Sequence, residues 1–161
     1  MLDQLLAEFQ RPMSLPLPVV TLRLVMALLL GGVIGWEREA KHRQAGLRTH
    51  MLISLAAACF TLVAMELAEA FRTHPGEQRT DPFRLIEAVT AGVAFLAAGS
   101  IITRGGDVRG VTTGASMWLC GAIGLCCGTG DLWLAIMVTL LAIAVLFVVR
   151  QLISPVLRDE D

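Results

Sequence analysis

Residues 34–50 of this chain read IGWEREAKHRQAGLRTH and place a dense run of charge between two apolar segments. The whole chain of 161 residues is 55% hydrophobic and 17% charged, and its mean hydropathy is +0.68. That composition is too apolar for an ordinary soluble domain of this size, so the sequence predicts a membrane protein. A formal net charge of -1 gives no indication of a nucleic-acid partner.

Apolar windows recur along the chain, at 19–36, 49–67, 85–102, 111–127 and 132–153. Each window is nearly continuous and exceeds the roughly 10 residues of a membrane-barrel strand. Lipid also requires that every backbone polar group be satisfied internally, which a helix achieves within one segment. The sequence therefore predicts an all-α, polytopic membrane helical bundle with about five transmembrane helices.

The chain divides into one membrane domain at 19–153 and two short flanking segments. Residues 1–18 are expected to form an N-terminal interfacial segment, because its leucines and Phe9 share one helical face. A frayed polar tail is the alternative for this segment. The start of the chain carries no signal-peptide pattern, so we expect it to be retained. Residues 154–161 are expected to form a short cytoplasmic tail.

Lysine and arginine are distributed unequally between the predicted loops. The basic residues of the first loop, the third loop and the C-terminal end are Arg38, Lys41, Arg43, Arg48, Arg104, Arg109, Arg150 and Arg158. The opposite side receives fewer, and Arg23 is expected to snorkel toward it. Because basic loops stay in the cytoplasm, the sequence predicts an N-terminus outside and a cytoplasmic C-terminus.

Within residues 34–50, each acidic residue has a basic residue four positions later. Glu37 precedes Lys41 and Glu39 precedes Arg43. This spacing pairs the charges on one helix face if the first helix continues into the loop. A solvated extension of the first helix therefore explains the stretch without any binding role.

Glycine recurs inside the predicted helices at spacings that let helices approach closely in lipid. The pairs four residues apart are Gly31 with Gly35, Gly110 with Gly114, and Gly124 with Gly128. Since the fourth span carries its glycines near one face, we expect it to be central. The fifth span has no glycine and is expected to face lipid. The glycine faces are explained either by helix packing within one bundle or by contacts in a homo-oligomer.

The polar residues form no catalytic pattern. Ser54, Ser100 and Ser116 have no histidine and acid in a nucleophile arrangement, so we expect no enzyme and no cofactor. His42 and His50 lack a third ligand at metal spacing. The four cysteines lie in or beside apolar runs without a Cys-x-x-Cys pair, and we expect them to pack as small apolar residues.

Acidic residues concentrate toward the outer ends of the second and third spans, at Glu66, Glu69, Glu77, Asp81 and Glu87. Because a hard cation takes oxygen ligands, a weak outer acidic cluster of Glu66, Glu69 and Glu87 is one interpretation. Pairing with the neighbouring arginines, or simple solvation, is the other interpretation.

Residues 103–116, TRGGDVRGVTTGAS, place two adjacent glycines at a turn beside two arginines, with threonines opening the next helix. A phosphate or lipid headgroup site is one explanation of this combination. A tight connection between two helices, with capping residues and cytoplasmic anchors, is the other.

Four segments in order carry a family resemblance. Residues 31–39 read GGVIGWERE, residues 45–60 read AGLRTHMLISLAAACF, and Asp81, Pro82 and Arg84 precede the third span. Residues 91–130 then read AGVAFLAAGSIITRGGDVRGVTTGASMWLCGAIGLCCGTG. This order and spacing resemble the MgtC/SapB family of bacterial inner-membrane proteins, whose third span usually has glycines where Ala94 and Ala97 stand here.

The resemblance implies a five-span, non-enzymatic inner-membrane protein that regulates other membrane proteins. It also implies a link to growth under magnesium limitation and, in pathogens, to survival inside host cells. Transport of magnesium or another ion is the alternative. Longer members carry a soluble domain after the fifth span, so this chain is expected to be a short form. The expected partners are the lipid bilayer and other inner-membrane proteins.

Two motifs are carried over from the resemblance, without a role for each residue. The cytoplasmic loop motif comprises Gly35, Glu37, Arg38, Glu39, Gly46, Leu47, Arg48, Thr49 and His50. The second motif comprises Asp81, Arg84, Gly99, Arg104, Gly105, Gly106, Arg109, Gly110 and Thr112. Because Arg48 lies at the mouth of the second span, Arg48→Ala is expected to disrupt function or assembly more than Arg43→Ala.

Overall fold

The computed structural model describes residue 1 and residues 13–72, 81–104 and 107–149. The predictions that lie outside these residues concern the interfacial helix before residue 13, the C-terminal tail, Glu77, Gly105 and Gly106. Within the described residues the chain forms a bundle of five α-helices with one small β-hairpin.

The helices are α1 (Leu17–Ala40), α2 (Leu47–Arg72), α3 (Pro82–Gly99), α4 (Val111–Thr129) and α5 (Leu132–Ala144), with a π-helix at Val145–Val149 continuing α5. The segments Leu17–Ala40, Leu47–Ala70 and Val111–Thr129 are long and apolar enough to cross a membrane. Leu132–Phe147 is a shorter apolar helix. The prediction of an all-α membrane bundle is confirmed.

The helix ends follow from local sequence. Proline occupies the first turn of α1 and of α3, where a missing N–H costs nothing. The Asp81 carboxylate caps α3 by accepting the Phe83 N–H at 2.9 Å. Glycines with positive φ flank α4, with Gly110 at +91° before it and Gly130 at +97° after it.

A two-stranded hairpin lies between α3 and α4, where the third span was predicted to continue through residue 102. Strand β1 (Ile102–Arg104) pairs antiparallel with β2 (Asp107–Arg109), and Ile102 lies opposite Arg109. The helix ends at Gly99 because glycine and serine are weak helix formers and the β-branched run after Ser100 favours extended backbone. The connection is therefore longer and more regular than a tight turn.

Helix α4 is central, as predicted, and contacts the other four helices. Its glycines face two different neighbours. Gly121 lies against Val93 of α3, whereas a methyl group on Gly124 would lie 2.7 Å from the Ala57 Cβ of α2. These glycines therefore pack helices of the same chain.

Helix α5 lies at the edge of the bundle, as expected for a helix without glycine. Ala135 and Thr139 are buried against the other helices, whereas Trp133 and Leu140 are exposed. Because its outer face is apolar, α5 suits contact with lipid acyl chains.

The cysteines divide into two groups. Cys120 and Cys127 are fully buried in the core, as predicted for packing residues, and Cys126 is half-buried. Cys59 is exposed, so the packing role expected of the cysteines does not extend to it. Cys59 lies on the face of α2 that points away from α1 and α4.

The Arg23 side chain of α1 reaches the C-terminal end of α4, next to the loop on the side toward which it was expected to snorkel. Its Nη1 donates to the carbonyl oxygen of Gly128 at 2.7 Å and lies 3.8 Å from the Met65 sulfur. The last carbonyls of a helix have no helical partner, so α4 offers the guanidinium an acceptor inside the protein. The same contact places a positive charge at the negative end of the α4 dipole.

Candidate functional site

The turn between α1 and α2 is closed by backbone hydrogen bonds. The Arg43 N–H donates to Arg38 O at 3.1 Å, and the His42 N–H donates to Glu39 O at 2.9 Å. With His42 at φ +48°, these bonds form a Schellman motif that uses histidine where glycine is usual. Helix α1 therefore continues past Trp36, the end of the predicted window, but ends at Ala40, before Arg43.

The early end of α1 changes the partner of Glu39. Its Oε2 accepts the Leu47 N–H at 2.9 Å and so caps the first turn of α2. The predicted pairing of Glu39 with Arg43 is absent among the described residues, because Arg43 lies beyond the helix. A side chain on Gly46 would collide with the Glu39 carboxylate, which explains why glycine stands there.

Glu37 lies between two cations at the end of α1. One oxygen accepts from Arg38 Nε at 2.5 Å, and the other pairs with Lys41, as the spacing predicted. The side chains of Glu37 and Arg38 are only 9% and 5% exposed. The interpretation as a solvated helix extension was therefore wrong, because Glu37 and Arg38 are buried at the end of α1.

His50 joins α2 to α4 and is fully buried. Its Nδ1 lies 2.8 Å from the Gly46 carbonyl oxygen, and its Nε2 lies 2.9 Å from Ser116 Oγ. Ser116 Oγ also lies 2.8 Å from the Thr113 carbonyl oxygen. Nδ1 must donate to the Gly46 carbonyl, and the Ser116 hydroxyl has one proton. In the neutral ring Ser116 therefore donates either to Nε2 or to Thr113 O, whereas in the protonated ring Nε2 donates to Ser116 Oγ, which donates to Thr113 O.

We call Glu37, Arg38, Lys41, His50 and Ser116 the polar centre, because they lie together where α1, α2 and α4 meet. Lys41 extends it toward the π-helix, with its Nζ 5.4 Å from the centre of the Phe147 ring. Every one of these side chains has a partner inside the chain.

Close backbone contact beside the polar centre requires glycine in α1. A methyl group on Gly35 would lie 2.8 Å from Leu47 Cα, and one on Gly31 would lie 2.8 Å from the His50 carbonyl oxygen. Neither position has room for a larger side chain. The glycines bring α1 close enough to α2 for the polar centre to be covered.

Ser54 lies one turn after His50 and is fully buried. Within the described residues its hydroxyl has no hydrogen-bond partner. From the sequence, Ser54 and Ser116 were weighed only as nucleophiles, and neither was predicted to lie at or beside the polar centre. The four-residue spacing from His50 to Ser54 was a readable signal, whereas no local pattern connects His50 with Ser116.

The remaining loop-motif residues lie at the rim of the polar centre. Leu47 packs against Gly35, Thr49 is half-buried, and Arg48 is exposed at the first turn of α2. The structure therefore brings together most of the first motif and leaves Arg48 on the surface.

The second motif is divided between the two ends of the bundle. Asp81 and Arg84 lie at the start of α3, far from the polar centre, because α3 runs antiparallel to α2. Gly99, Arg104, Arg109 and Gly110 belong to the end of α3 and the hairpin. Thr112 lies in the first turn of α4 and lines a cavity of about 350 Å³ beside Ser116.

The outer acids take separate partners or face outward. Glu66 accepts from the Ser14 N–H at 2.9 Å and from the Ser14 hydroxyl, which ties the segment before α1 to α2. Glu87 is exposed on α3. In the part of the chain that the structure describes, no three His, Cys, Asp or Glu side chains group as a metal site requires.

The helical bundle and its polar centre define a polytopic membrane protein in which Glu37 and Arg38 are buried within the helix packing. Similarity to known proteins identifies the family. The chain belongs to the MgtC family, whose model matches residues 24–154. No solved structure matches the chain.

Three relatives illustrate this membership. The chain is 37% identical over 139 residues to Protein MgtC of Brucella abortus (strain 2308), covering 86% of this chain and 55% of that protein. It is 36% identical over 130 residues to Protein MgtC of Salmonella typhimurium (strain 14028s / SGSC 2262), covering 81% and 52%. It is 38% identical over 133 residues to YhiD of Escherichia coli (strain K12), covering 81% and 60%.

YhiD of Escherichia coli is named as a proposed magnesium transporter. The chain spans between 52% and 60% of the lengths of these three relatives.

Proposed function

We propose that this protein is a non-enzymatic, multi-pass protein of the bacterial inner membrane that regulates other membrane proteins during growth in low magnesium. The hydrogen bonding of the polar centre supports the proposal most. Both carboxylate oxygens of Glu37 and both ring nitrogens of His50 have partners within the chain. An ion entering this region would have to displace those partners.

A buried charge held in this way selects one arrangement of helices, because breaking the pair would leave an uncompensated charge. The polar centre then serves as a rigid frame for the surfaces around it. Those surfaces are apolar and carry large exposed side chains, including Phe95 on α3 and Trp133 on α5. Apolar surfaces of this kind contact lipid or the membrane segments of other proteins, and the proposed regulatory role requires the second.

Magnesium transport is the second candidate, and two observations favour it. One relative has a name that proposes a magnesium transporter. The buried Ser54 hydroxyl, without a partner among the described residues, is an oxygen of the type that a hard cation takes.

Reconstitution separates the two candidates. The purified protein would be inserted into vesicles that contain a magnesium-sensitive dye, and external magnesium would then be added. We expect the same signal as in protein-free vesicles, since a regulator carries no ion by itself. Selective, protein-dependent uptake would establish the transporter instead.

Complementation tests the regulatory role directly. In a strain that lacks the gene, we expect the intact protein to restore growth in low magnesium and to crosslink to other membrane proteins. Arg48→Ala is expected to restore less growth than Arg43→Ala. Both variants should reach equal abundance in the membrane, because both side chains are exposed and neither supports the packing. Absence of a growth defect together with absence of a crosslinked partner would disprove the regulatory role. A role in survival inside host cells stays a prediction.

The proposed orientation puts the α1–α2 turn in the cytoplasm. A membrane-impermeant thiol reagent should therefore label Asp131→Cys in intact spheroplasts and label Arg43→Cys only after lysis. The opposite result would invert the topology.

A further inference from the structure

An open apolar groove runs between α2 and α3 on the outside of the bundle. It encloses about 690 Å³, and its lining includes Leu52, Ala56 and Phe60 of α2 and Gly92 and Leu96 of α3. Helix α3 packs mainly against α4, which leaves a gap on its α2 side. A methyl group on Gly92 would have no heavy atom within 4 Å, so the groove is open at its middle.

One end of the groove carries an exposed arginine. Arg48 precedes Leu52 by one helical turn and therefore continues the stripe of α2 residues that line the groove. Its side chain is exposed, and within the described residues it takes part in no ion pair or hydrogen bond. Arg48 is therefore an exposed cation on α2 that an anion at this end of the groove can reach.

The other end of the groove differs in charge. Leu67 and Leu85 line it there, and the nearest charged residues on α3 are Arg84, Asp81 and Glu87. Positively and negatively charged residues are both present at this end of the groove, so it offers no net attraction for an anion. The charge pattern therefore places an anionic headgroup at the Arg48 end.

The groove is long enough for an extended acyl chain. From Leu52 to Leu67 it follows about 22 Å of α2, which exceeds the roughly 15 Å of hydrocarbon in one leaflet. An extended hydrocarbon chain is much thinner than a helix and lies in the groove along its length.

We propose that the groove between α2 and α3 binds one phospholipid with an anionic headgroup, its acyl chains running from Leu52 toward Leu67 and its phosphate at Arg48. This inference is independent of the proposed regulatory function. The apolar walls contact the chains, and the arginine selects headgroups of net negative charge.

Lipid titration of the purified full chain in detergent, followed by native mass spectrometry, tests the proposal. Phosphatidylglycerol and phosphatidylcholine with identical acyl chains are the two probes. We expect phosphatidylglycerol to bind about fivefold more tightly, as one favourable charge contact at a membrane surface gives. Arg48→Ala should abolish that preference, and Arg48→Lys should retain it because a positive charge suffices.

Matched variants separate the groove from general surface effects. Gly92→Leu fills the open middle of the groove and is expected to weaken phosphatidylglycerol binding at least tenfold. Ala88→Leu fills the same groove from another position and should act in the same direction. Gly99→Leu also enters open space but lies outside the groove lining, so binding should be unchanged. Arg43→Ala is the charge control and should bind like the unmodified chain.

Equal binding of the two lipids, or equal effects of Arg48→Ala and Arg43→Ala, would overturn the headgroup assignment. Unchanged binding in both Gly92→Leu and Ala88→Leu would overturn the groove as the site. If these two variants instead abolish self-association, measured by crosslinking through the exposed Cys59, the groove belongs to a second copy of the chain and the proposal is wrong.

Discussion

On the inner face of α2, Ser54 and Ala57 lie against glycines of α1 and α4, whereas on its outer face Leu52 and Ala56 line an open groove. Both faces contain small residues, so residue size alone does not explain the difference. The neighbouring helices explain the difference, because α1 and α4 have glycine at their contacts with α2, whereas α3 packs mainly against α4. Tight packing in this bundle therefore depends on where small residues of two helices meet.

The largest expected effect concerns the charged part of the packed side. Glu37→Ala removes the anion shared by Arg38 and Lys41, and Arg38 stays buried without a partner. We expect the free energy of unfolding to fall by about 3 kcal/mol. Denaturant unfolding in micelles measures the change. The control is Glu39→Gln, which is exposed and keeps an oxygen for the Leu47 N–H, so its effect should stay within about 0.5 kcal/mol.

Glycine substitution compares the two sides directly. Gly35→Val inserts a branched side chain where a methyl group would already lie 2.8 Å from Leu47 Cα, and it should cost about 2 kcal/mol. Gly92→Val places the same side chain in the open groove and should leave stability nearly unchanged. Thermal unfolding of the two variants in the same detergent checks this contrast, which would disappear if α1 were able to move away from α2.

Loss of the link between α2 and α4 should have a smaller effect. Ser116→Ala leaves the buried Nε2 of His50 without its partner, and we expect a loss of about 1 kcal/mol. The matched change Ser100→Ala removes a hydroxyl that bonds only within its own helix end, to Ala97 O. Its cost should be smaller in the same unfolding assay, and equal costs would show that the His50 contact contributes nothing specific.

The smallest expected effect has the opposite sign. Ser54→Ala removes a buried hydroxyl without a partner among the described residues and should raise stability by about 0.5 kcal/mol. Thr61→Val, which deletes a buried hydroxyl that donates to Ala57 O, should lower it instead. A destabilised Ser54→Ala variant would indicate an ion or water at that hydroxyl and would strengthen the transport alternative.

Features that depend on nearby residues were predictable from the sequence. The apolar runs predicted the helices, and the spacing of Glu37 and Lys41 predicted their pairing. The glycine-rich fourth span was correctly expected at the centre. Each of these rests on residues within a few turns of one another, where helix geometry alone relates the positions.

Features that join distant segments were not predictable. The contact of His50 with Ser116 spans 66 residues, and the contact of Arg23 with Gly128 spans 105. Glu39 was assigned the wrong partner because the end of α1 depends on a turn that the charge spacing does not encode. Such contacts form only after the helices pack.

The sequence by itself determined that this is a helical membrane protein of the MgtC family, because apolar length and motif order need no partner segment. The tertiary structure decided which charges are buried and which remain outside. Within one motif, Arg38 lies inside the polar centre and Arg48 lies at the mouth of the groove. The physical reason is that burial is set by neighbouring helices, and the packing of α1 and α4 covers only one face of α2.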